Sequence, residues 1–440
     1  MAILLSQHAV NHIYAKRAAS LSGDAKLVIS DTQASITASG ELCWQVQTAE
    51  SARYSMYISY SAATECTATI STGDVTESIS LPATSGYFDI SSNNFERRNT
   101  GIVLQLTKGI SRISVALKGK CSIASIDLAT SSAIDALLTS VIQMQQARAS
   151  LLPYTTGYGF MFHWVGQSMP RSGTPMAYQD AVDRFDAEAF ADMVADAGGR
   201  YVFFTTNHMY PHFPAPLREW AQRFPNMTTQ RDLIADIGMA LEKRGIALML
   251  YINFTAALYP NDIANGERAQ LSDFACAVFK AAGRRYGKLL KGWWVDSCYQ
   301  LDRQFVNMDF EPLWTASKEG NSERITTFNY WILPTATPYV DFWAGEVCDI
   351  IKLPDDNHYE YGCAVNLPPH ALLLMEDNWW HDKRDTPIIS PRFTAAQLSD
   401  FIRGMNAHGG MVTINMQIYQ DGGIGVGTMT EMQKLKRTIY

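Results

Sequence analysis

The stretch with the clearest chemical potential runs from residue 291 to residue 299 and reads KGWWVDSCY. Its apolar residues predict a short buried strand over 292–295, with the carboxylate of Asp296 at the C-terminal end. Two tryptophans precede this acid and Tyr299 follows it. Aromatic rings can cover the apolar faces of a pyranose while a carboxylate attacks or stabilises an anomeric carbon. On this stretch alone, a core strand whose aspartate caps the next turn is an equal alternative.

Two further acids follow predicted strands later in the chain. Glu346 comes after the strand 341–345, and Glu376 comes after the strand 371–375. Most other predicted strands in this half also end in polar residues: His163, Asn207, His208, Asn253, Asn329 and Asn415. Carboxylates among amides and aromatics, without a cofactor motif, favour glycoside hydrolysis. In that reaction one acid protonates the leaving oxygen, and another carboxylate attacks the anomeric carbon or activates water.

The elements that must position these side chains begin near residue 158, where apolar strands start to alternate with helices. The predicted strands are 159–164, 201–206, 247–254, 292–295, 325–329, 341–345, 371–375 and 411–415. The clearest helices are 185–197, 231–244, 267–286, 395–407 and 428–438. Eight such strands predict a (β/α)8-like TIM barrel, in which the active site lies at the C-terminal ends of the strands. A doubly wound open sheet is the rival fold, although no glycine-rich phosphate turn follows the first strand.

The first part of the chain has a different pattern, rich in Ser, Thr and Ala. Short alternating segments are separated by turn residues over 26–30, 41–47, 53–60, 66–71, 77–81, 102–106, 111–117 and 122–128. Such a pattern predicts an antiparallel β-sandwich. Tyr54, Tyr57 and Tyr60, with the segments 86–88 and 106–113, resemble jelly-roll-like carbohydrate-binding modules. A sandwich that only packs against its neighbour is an equal alternative.

These patterns divide the chain into three parts. We predict a carbohydrate-binding-module-like β-sandwich over 1–130, a helical linker over 131–154 and a (β/α)8-like catalytic barrel over 155–440. The length of 440 residues fits two or three domains. The linker contains a helix over 131–150, because its apolar residues follow helical spacing.

Composition excludes several classes of partner. The formal net charge of −7 argues against nucleic acid, because no basic stripe is present to neutralise phosphates. No run of 18 apolar residues occurs, so we expect no membrane insertion. The seven cysteines show no zinc-ligand spacing, and we expect no metal ion and no cofactor. No signal peptide is visible, which leaves a cytoplasmic location, or a periplasmic or secreted one with the signal removed. The oligomeric state stays open.

The second half resembles the family 29 α-L-fucosidases over nearly all of 155–440. The similar segments are 159–164 (GFMFHW), 185–201, 206–208 (TNH), 294–296 (WVD) and 408–415 (HGGMVTIN). The resemblance implies a retaining, exo-acting hydrolase that removes α-L-fucosyl residues from oligo- or polysaccharides through a covalent intermediate. Asp296 would then be the nucleophile. Glu346 is the first choice for the acid/base, and Glu376 is the alternative or a substrate-binding acid.

The resemblance also implies residues that bind the sugar. They are His163, Trp164, Asn207 and His208, to which we add the aromatic Trp294, Tyr299 and Trp379. Two departures from the family are visible: its Lys-His-His run is Thr206-Asn207-His208 here, and its sandwich usually follows the barrel. Three alternatives therefore stay open: an α-L-galactosidase, a hydrolase of fucose-containing polysaccharide, and a non-catalytic carbohydrate-binding protein on a degenerate barrel.

Overall fold

The computed structural model describes residues 2–28, 33–73, 75–84, 95–166, 168–254, 268–298, 308–331, 333, 335–351, 363 and 366–440. The N-terminal sheets, as we call the two sheets within residues 3–129, share one hydrophobic core. The first sheet contains β1 (Ile3–Leu4), β3 (Ser20–Gly23), β6 (Ser39–Thr48), β8 (Cys66–Thr72), β9 (Val75–Leu81) and β11 (Gly109–Lys118). The second contains β2 (Asn11–Tyr14), β4 (Lys26–Val28), β5 (Gln33–Ile36), β7 (Ala52–Ser61), β10 (Glu96–Leu106) and β12 (Cys121–Ala129).

Strand pairing in the N-terminal sheets is antiparallel except where the short β1 runs parallel to β6. The first sheet has the order β1-β6-β11-β8-β9, with β3 also on β6, and the second has β10-β7-β12-β5-β4, with β2 on β12. The predicted tyrosines Tyr54, Tyr57 and Tyr60 are all buried, so they serve the core. The segment 86–88 lies outside the described residues.

The C-terminal part is built on a seven-stranded parallel sheet. Its strands are β13 (Gly159–Phe162), β14 (Tyr201–Thr205), β15 (Ala247–Asn253), β16 (Leu290–Asp296), β17 (Ile325–Phe328), β18 (His370–Leu374) and β19 (Met411–Asn415). They are ordered β17-β16-β15-β14-β13-β19-β18. Side chains alternate between the faces, so Trp294 and Asp296 share one face of β16 while Trp293 packs on the other against the helices.

Helices cover the outer face of this sheet. The chain contains α1 (Ser131–Ala147), α2 (Tyr178–Arg184), α3 (Ala187–Asp196), α4 (Arg218–Arg223), α5 (Leu233–Glu242), α6 (Arg268–Tyr286), α7 (Glu311–Ser317), α8 (Ala395–Ala407) and α9 (Val426–Ile439). Asp186 caps α3 by accepting a hydrogen bond from the amide of Ala189. Gly198 and Gly245, which follow α3 and α5, take positive φ angles of 86° and 69°. Within the described residues, no helix is long and apolar enough to cross a membrane.

The predicted strand 341–345 is wrong, because this described segment has no regular strand. It nevertheless bonds to both edges of the parallel sheet: the amide of Asp341 donates to Thr326 O at 2.8 Å, and that of Leu372 donates to Gly345 O at 2.8 Å. Gly345 explains part of the irregularity. It has a φ of +58°, and a Cβ there would lie 2.0 Å from His370 O. The sequence alternation therefore identified the position of the segment but not its conformation.

Arg324 lies immediately before β17 and is completely buried. It donates to the carbonyls of Leu290, Ser317, Glu319 and Gly287 at distances of 2.6–3.0 Å. This one guanidinium therefore ties the start of β16 and the end of α7 to the start of β17.

We expect Arg324→Met to lower the free energy of unfolding by about 3 kcal/mol or more, because the substitution leaves buried carbonyls without donors. Chemical denaturation of the whole chain measures the loss. The exposed Arg437→Met provides the control and should change the free energy by less than about 0.5 kcal/mol. Equal stability of the two variants would contradict the prediction.

Candidate active site

Asp296 lies at the C-terminal end of β16 and faces a cavity of about 330 Å³. Four side chains donate hydrogen bonds to its carboxyl group. Tyr251 Oη, Asn253 Nδ2 and Ser297 Oγ donate to Oδ2 at 2.6, 3.0 and 2.7 Å, and Asn329 Nδ2 donates to Oδ1 at 2.7 Å. These donors fix the orientation of the carboxyl group at the end of β16.

Ser297 contributes to this arrangement through its backbone as well. Its φ of +59° lies in the left-handed region, which is uncommon for a residue with a side chain. The turn ends β16 directly after the acid and brings the serine hydroxyl back onto the carboxylate. Strained residues of this kind cluster at functional sites, where surrounding contacts hold them in place.

Asn329 joins the two candidate catalytic acids. Its Nδ2 group donates both to Asp296 Oδ1 and to Glu346 Oε2. The backbone amide of Trp331 donates to Asn329 Oδ1 at 2.8 Å, which turns the NH₂ end of the side chain towards the acids. Two oxygens that accept from one nitrogen can be at most roughly 6 Å apart, since each N···O distance is about 3 Å or less.

Glu346 has an environment unlike that of an ordinary surface glutamate. Burial and the neighbouring Asp296 carboxyl together raise the pKa of Glu346 to about 8, against the opposing effect of the Asn329 hydrogen bond. Glu346 is therefore protonated at neutral pH. A carboxylic acid kept neutral beside a hydrogen-bonded carboxylate is the arrangement that can supply a proton and a nucleophile at one site.

His163 contributes a polar wall of the cavity. Its Nδ1 lies 2.7 Å from Asn415 Oδ1, while Asn415 Nδ2 donates to Trp379 O at 3.0 Å. Burial, together with the nearby His208, lowers the pKa of His163 to about 3, so the ring is neutral. Because Asn415 presents an oxygen, the His163 proton is on Nδ1, and Nε2 is left as an acceptor for a hydroxyl group.

The remaining walls of the cavity combine aromatic, aliphatic and polar side chains. The other lining residues are Met161, His208, Met209, Tyr251, Asn253, Trp294, Ser297, Leu372, Trp379 and Trp380. Among the predicted sugar-binding residues, His163, His208, Trp294 and Trp379 thus meet at this cavity. Tyr299 lies outside the described residues.

Three predicted residues lie elsewhere. Trp164 is buried among the outer aromatics, where its ring packs on Phe185 and Phe204. Asn207 is buried and does not line the cavity. Its Nδ2 donates at 2.8 Å to the carbonyl of Asn253, which does line it. Glu376 is fully buried away from the cavity lining.

The contacts of Glu376 are structural in character. Its carboxyl group accepts hydrogen bonds from the Gln417 amide and from the Thr428 hydroxyl on α9. Burial raises the pKa of Glu376 to about 7. The structure therefore pairs Asp296 with Glu346 and keeps Glu376 apart from them.

Reasoning from sequence missed several residues of the site. Asn253 and Asn329 stood out as polar strand ends, but their contact with Asp296 could not be read from their spacing. Tyr251 had no signal beyond its place in an apolar strand, although period-two alternation puts it on the same face as Asn253. Trp380 could have been found as the neighbour of Trp379. Among the described residues, no group of three or more His, Cys, Asp or Glu side chains could hold a metal ion.

Comparison with known proteins finds one family model that matches part of the chain. Residues 158–353 match the sequence model of the family described as alpha-L-fucosidase. The tissue alpha-L-fucosidases of Bos taurus and Homo sapiens are each 32% identical to this chain over 129 residues. The predicted resemblance to the α-L-fucosidases is confirmed. The matched region of this α-L-fucosidase-like chain contains Asp296, Asn329 and Glu346 but not Glu376.

The extent of the similarity is limited. The match to the bovine and human proteins covers 25% of this chain, and the chain spans only 27% and 28% of those curated relatives. A family 29 alpha-L-fucosidase structure from Bacteroides thetaiotaomicron has a TM-score of 0.46 and 15% identity, covering 68% of this chain and 72% of that one. The family match does not include the N-terminal sheets, whose resemblance to carbohydrate-binding modules stays a prediction.

The raised pKa of Glu346 predicts a pH-dependent stability. Between about pH 4.5 and pH 8 the folded protein holds a proton on Glu346 that the unfolded chain has released, so the free energy of unfolding should fall as pH rises through this window. Glu346→Gln removes this titration. Urea unfolding at pH 5, 6.5 and 8 should therefore show a steeper fall for the wild type than for the variant.

Glu376→Gln is the matched control, because the pKa of Glu376 is also raised, to about 7. Glu376→Gln should remove a separate part of the decrease in the free energy of unfolding with rising pH, and the double variant should remove both parts. A wild-type slope unchanged by Glu346→Gln would show that Glu346 titrates normally.

Proposed function

We propose that this chain is a retaining glycoside hydrolase that removes α-L-fucosyl residues, or residues of a related L-sugar, from oligo- or polysaccharides. The observation that carries the proposal is the Asn329 amide shared by Asp296 and Glu346. Because the chain spans about a quarter of its curated relatives, its substrate and activity are inferred from the site.

Asp296 is the proposed nucleophile. Its oxygens are held by four donors from neighbouring strand ends, so the attacking oxygen needs no reorganisation before it reaches the anomeric carbon. As the bond to the sugar forms, negative charge leaves the carboxylate, and the donors keep its oxygens in place during the attack.

Glu346 is the proposed acid/base. Its raised pKa lets it protonate the leaving oxygen at neutral pH and then, as a carboxylate, take a proton from the water that hydrolyses the glycosyl-enzyme. The upper limit of roughly 6 Å on the separation of the two nearest oxygens fits the ~5–5.5 Å of retaining enzymes better than the ~6.5–9.5 Å of inverting ones. Glu376, being apart from Asp296, is the weaker candidate.

The cavity supports an exo-acting reaction on a single terminal residue. A volume of about 330 Å³ accommodates one sugar ring with its first linkage. We propose that His163 and His208 bind hydroxyl groups, while Trp294 and Trp379 contact the apolar faces of the ring. The apolar side chains of Met161 and Leu372 complete the wall of the cavity.

We further propose that the parallel sheet closes into a (β/α)8-like barrel over 155–440. The hydrogen bonds of residues 341–348 to both sheet edges support closure, as do Phe342 and Ala344, which share the inner cluster with Trp294. The remaining proposed units are the β-sandwich unit over 1–130, which contains the N-terminal sheets, and the linker over 131–154.

The first test replaces the nucleophile. Asp296→Gly should lower kcat for an aryl α-L-fucoside by roughly 10³-fold or more, because no covalent intermediate can form. Added azide should restore turnover by direct displacement and give the β-fucosyl azide, with inverted configuration. A folded Asp296→Gly protein, checked by circular dichroism, that hydrolyses the substrate near the wild-type rate would rule out this role.

The second test separates the two glutamates. With an activated aryl leaving group, Glu346→Ala should form the fucosyl-enzyme but hydrolyse it slowly, and azide should raise kcat and give the α-fucosyl azide by double displacement. Glu376→Ala is matched in side chain and should show no such rescue. Rescue of Glu376→Ala alone would exchange the proposed roles of the two residues.

If the wild type binds fucosides and L-galactosides without hydrolysing either, the non-catalytic reading is favoured. Faster hydrolysis of an aryl α-L-galactoside than of the fucoside would move the specificity to that sugar. Thus one screen of aryl glycosides separates these two alternatives from a fucosidase.

A further inference from the structure

The segment 330–340 connects two parts of the site. It begins directly after Asn329, which bonds to both acids, and it leads through 341–345 to Glu346. Its described residues form neither helix nor strand. An irregular segment of this length has no repeating backbone bonds of its own, so its conformation depends on contacts with other parts of the chain.

The N-terminal sheets supply polar contacts to this segment. Arg97 Nη1 on β10 donates to Thr335 O at 3.0 Å, and His12 Nε2 on β2 lies 3.1 Å from Ala336 O. Behind them, the fully buried Asp127 on β12 lies 2.7 Å from Arg97 Nε and 2.9 Å from His12 Nδ1. The carboxylate thus fixes the direction of both side chains, and they hold two successive carbonyls of the segment.

Apolar contacts add to this attachment. Leu333 inserts into a small buried cluster with Tyr14 and Ala124 of the N-terminal sheets and with Phe95, which directly precedes β10. Trp331 packs against the same cluster. Leu333 is only 1% exposed, so the segment is buried here by the sheets.

A single hydrogen bond connects this segment to the side chain that contacts both catalytic acids. Trp331 has a φ of +57°, and its amide donates to Asn329 Oδ1 at 2.8 Å. That bond decides which end of the Asn329 side chain faces Asp296 and Glu346, because an amide turned by 180° would present an oxygen to the two acids.

We propose that the N-terminal sheets are a positioning element of the active site, with Arg97, His12 and Leu333 as positioning residues that hold Trp331 and so orient Asn329 between Asp296 and Glu346. This inference rests on the proposed function for its catalytic meaning. None of the three positioning residues lines the cavity, so they act through the segment and not on the sugar.

The alternative role of the N-terminal sheets, carbohydrate binding, has less support. Every Trp, Tyr and Phe in their described part is buried, which leaves no aromatic surface there for a sugar. Their buried Arg97–Asp127–His12 cluster instead faces the segment 330–340. Binding of polysaccharide by the sheets is an outcome that the experiment below can detect.

The test compares Leu333→Ala with Leu117→Ala. Both leucines are 1% exposed, but Leu117 lies on β11 in the core of the N-terminal sheets, away from the segment. Both variants should lose stability through the cavity left by truncation. Measured well below both unfolding temperatures, Leu333→Ala should lower kcat roughly 10- to 100-fold with KM changed less than about twofold, because positioning and not ground-state binding is lost. Leu117→Ala should keep the wild-type kcat.

A second measurement does not depend on turnover. The protein is labelled with ¹³C at glutamate carboxyl groups, and Glu346 is assigned from the signal that Glu346→Gln removes. Since the Asn329 hydrogen bond lowers the pKa of Glu346, its loss in Leu333→Ala should move this titration to higher pH, whereas Leu117→Ala should leave it in place. Leu333→Met, which refills the cluster, should restore the wild-type titration.

Arg97→Lys is the second variant if Leu333→Ala does not fold. It keeps a positive charge beside Asp127 but cannot reach both the carboxylate and Thr335 O, so it should shift the Glu346 titration in the same direction. Unchanged titration and kcat in a folded Leu333→Ala or Arg97→Lys protein would overturn the proposal. A reduced affinity of either variant for polysaccharide, with kcat on an aryl fucoside unchanged, would also overturn it and assign the sheets to binding.

The two proposals fail separately. If the wild type hydrolyses no aryl glycoside while the Glu346 titration still responds to Leu333→Ala, the proposed function is wrong and the positioning role stands. If the wild type is active and Asp296→Gly is not, but neither Leu333→Ala nor Arg97→Lys alters the titration, only the positioning role is wrong.

Discussion

The site depends on one side-chain amide that serves two carboxyl groups. Asn329 donates to both Asp296 and Glu346, and two carboxylates this close to each other repel strongly when both are charged. The proton therefore stays on one of them. Asp296 has three further donors, whereas Asn329 is the donor seen on Glu346. Burial and the Asp296 carboxyl raise the pKa of Glu346 to about 8, so the proton is on Glu346. The division of roles that we propose rests on this unequal hydrogen bonding and not on the difference between aspartate and glutamate.

The register of the parallel sheet is the reason why Asp296 has more hydrogen-bond donors than Glu346. Asn253 and Asp296 are direct partners across β15 and β16. Asn329 comes directly after β17, the strand that pairs with β16 on its other side. Tyr251, two residues before Asn253, shares its face and reaches the same carboxylate. A slip of one residue between β15 and β16 would turn these donors away from the cavity and bring their apolar neighbours in. The core packing that fixes the register therefore also fixes the electrostatics of the site.

Much of this could be predicted from the sequence, because period and polarity are local properties. The alternation after residue 158 predicted eight strands, and seven of them are present in the structure. Polar strand ends predicted Asp296, His163 and Glu346 as site residues, and all three line the cavity. The segment 341–345 defeated the prediction because Gly345 and the buried Asp341 impose an irregular path that alternation does not encode. Trp164 was expected at the cavity, but it follows His163 directly and alternation turns it to the opposite face. The shared Asn329 amide could not be predicted, since it depends on distances among residues 33 and 17 positions apart.

The irregular segment 330–340, which begins directly after Asn329, is the part of this arrangement that is most costly to order. Ordering each of its residues opposes folding by about 1–2 kcal/mol of backbone entropy, and no helix or strand among its described residues offsets that free energy. The buried Arg97–Asp127–His12 cluster is weak evidence for stability, because desolvating its charges offsets their attraction. Such a cluster can nevertheless select one geometry: an apolar contact such as that of Leu333 tolerates sliding, whereas Arg97 and His12 must meet two particular carbonyls. The N-terminal sheets, although they are not part of the parallel sheet, can in this way determine the orientation of the Asn329 amide at the end of β17.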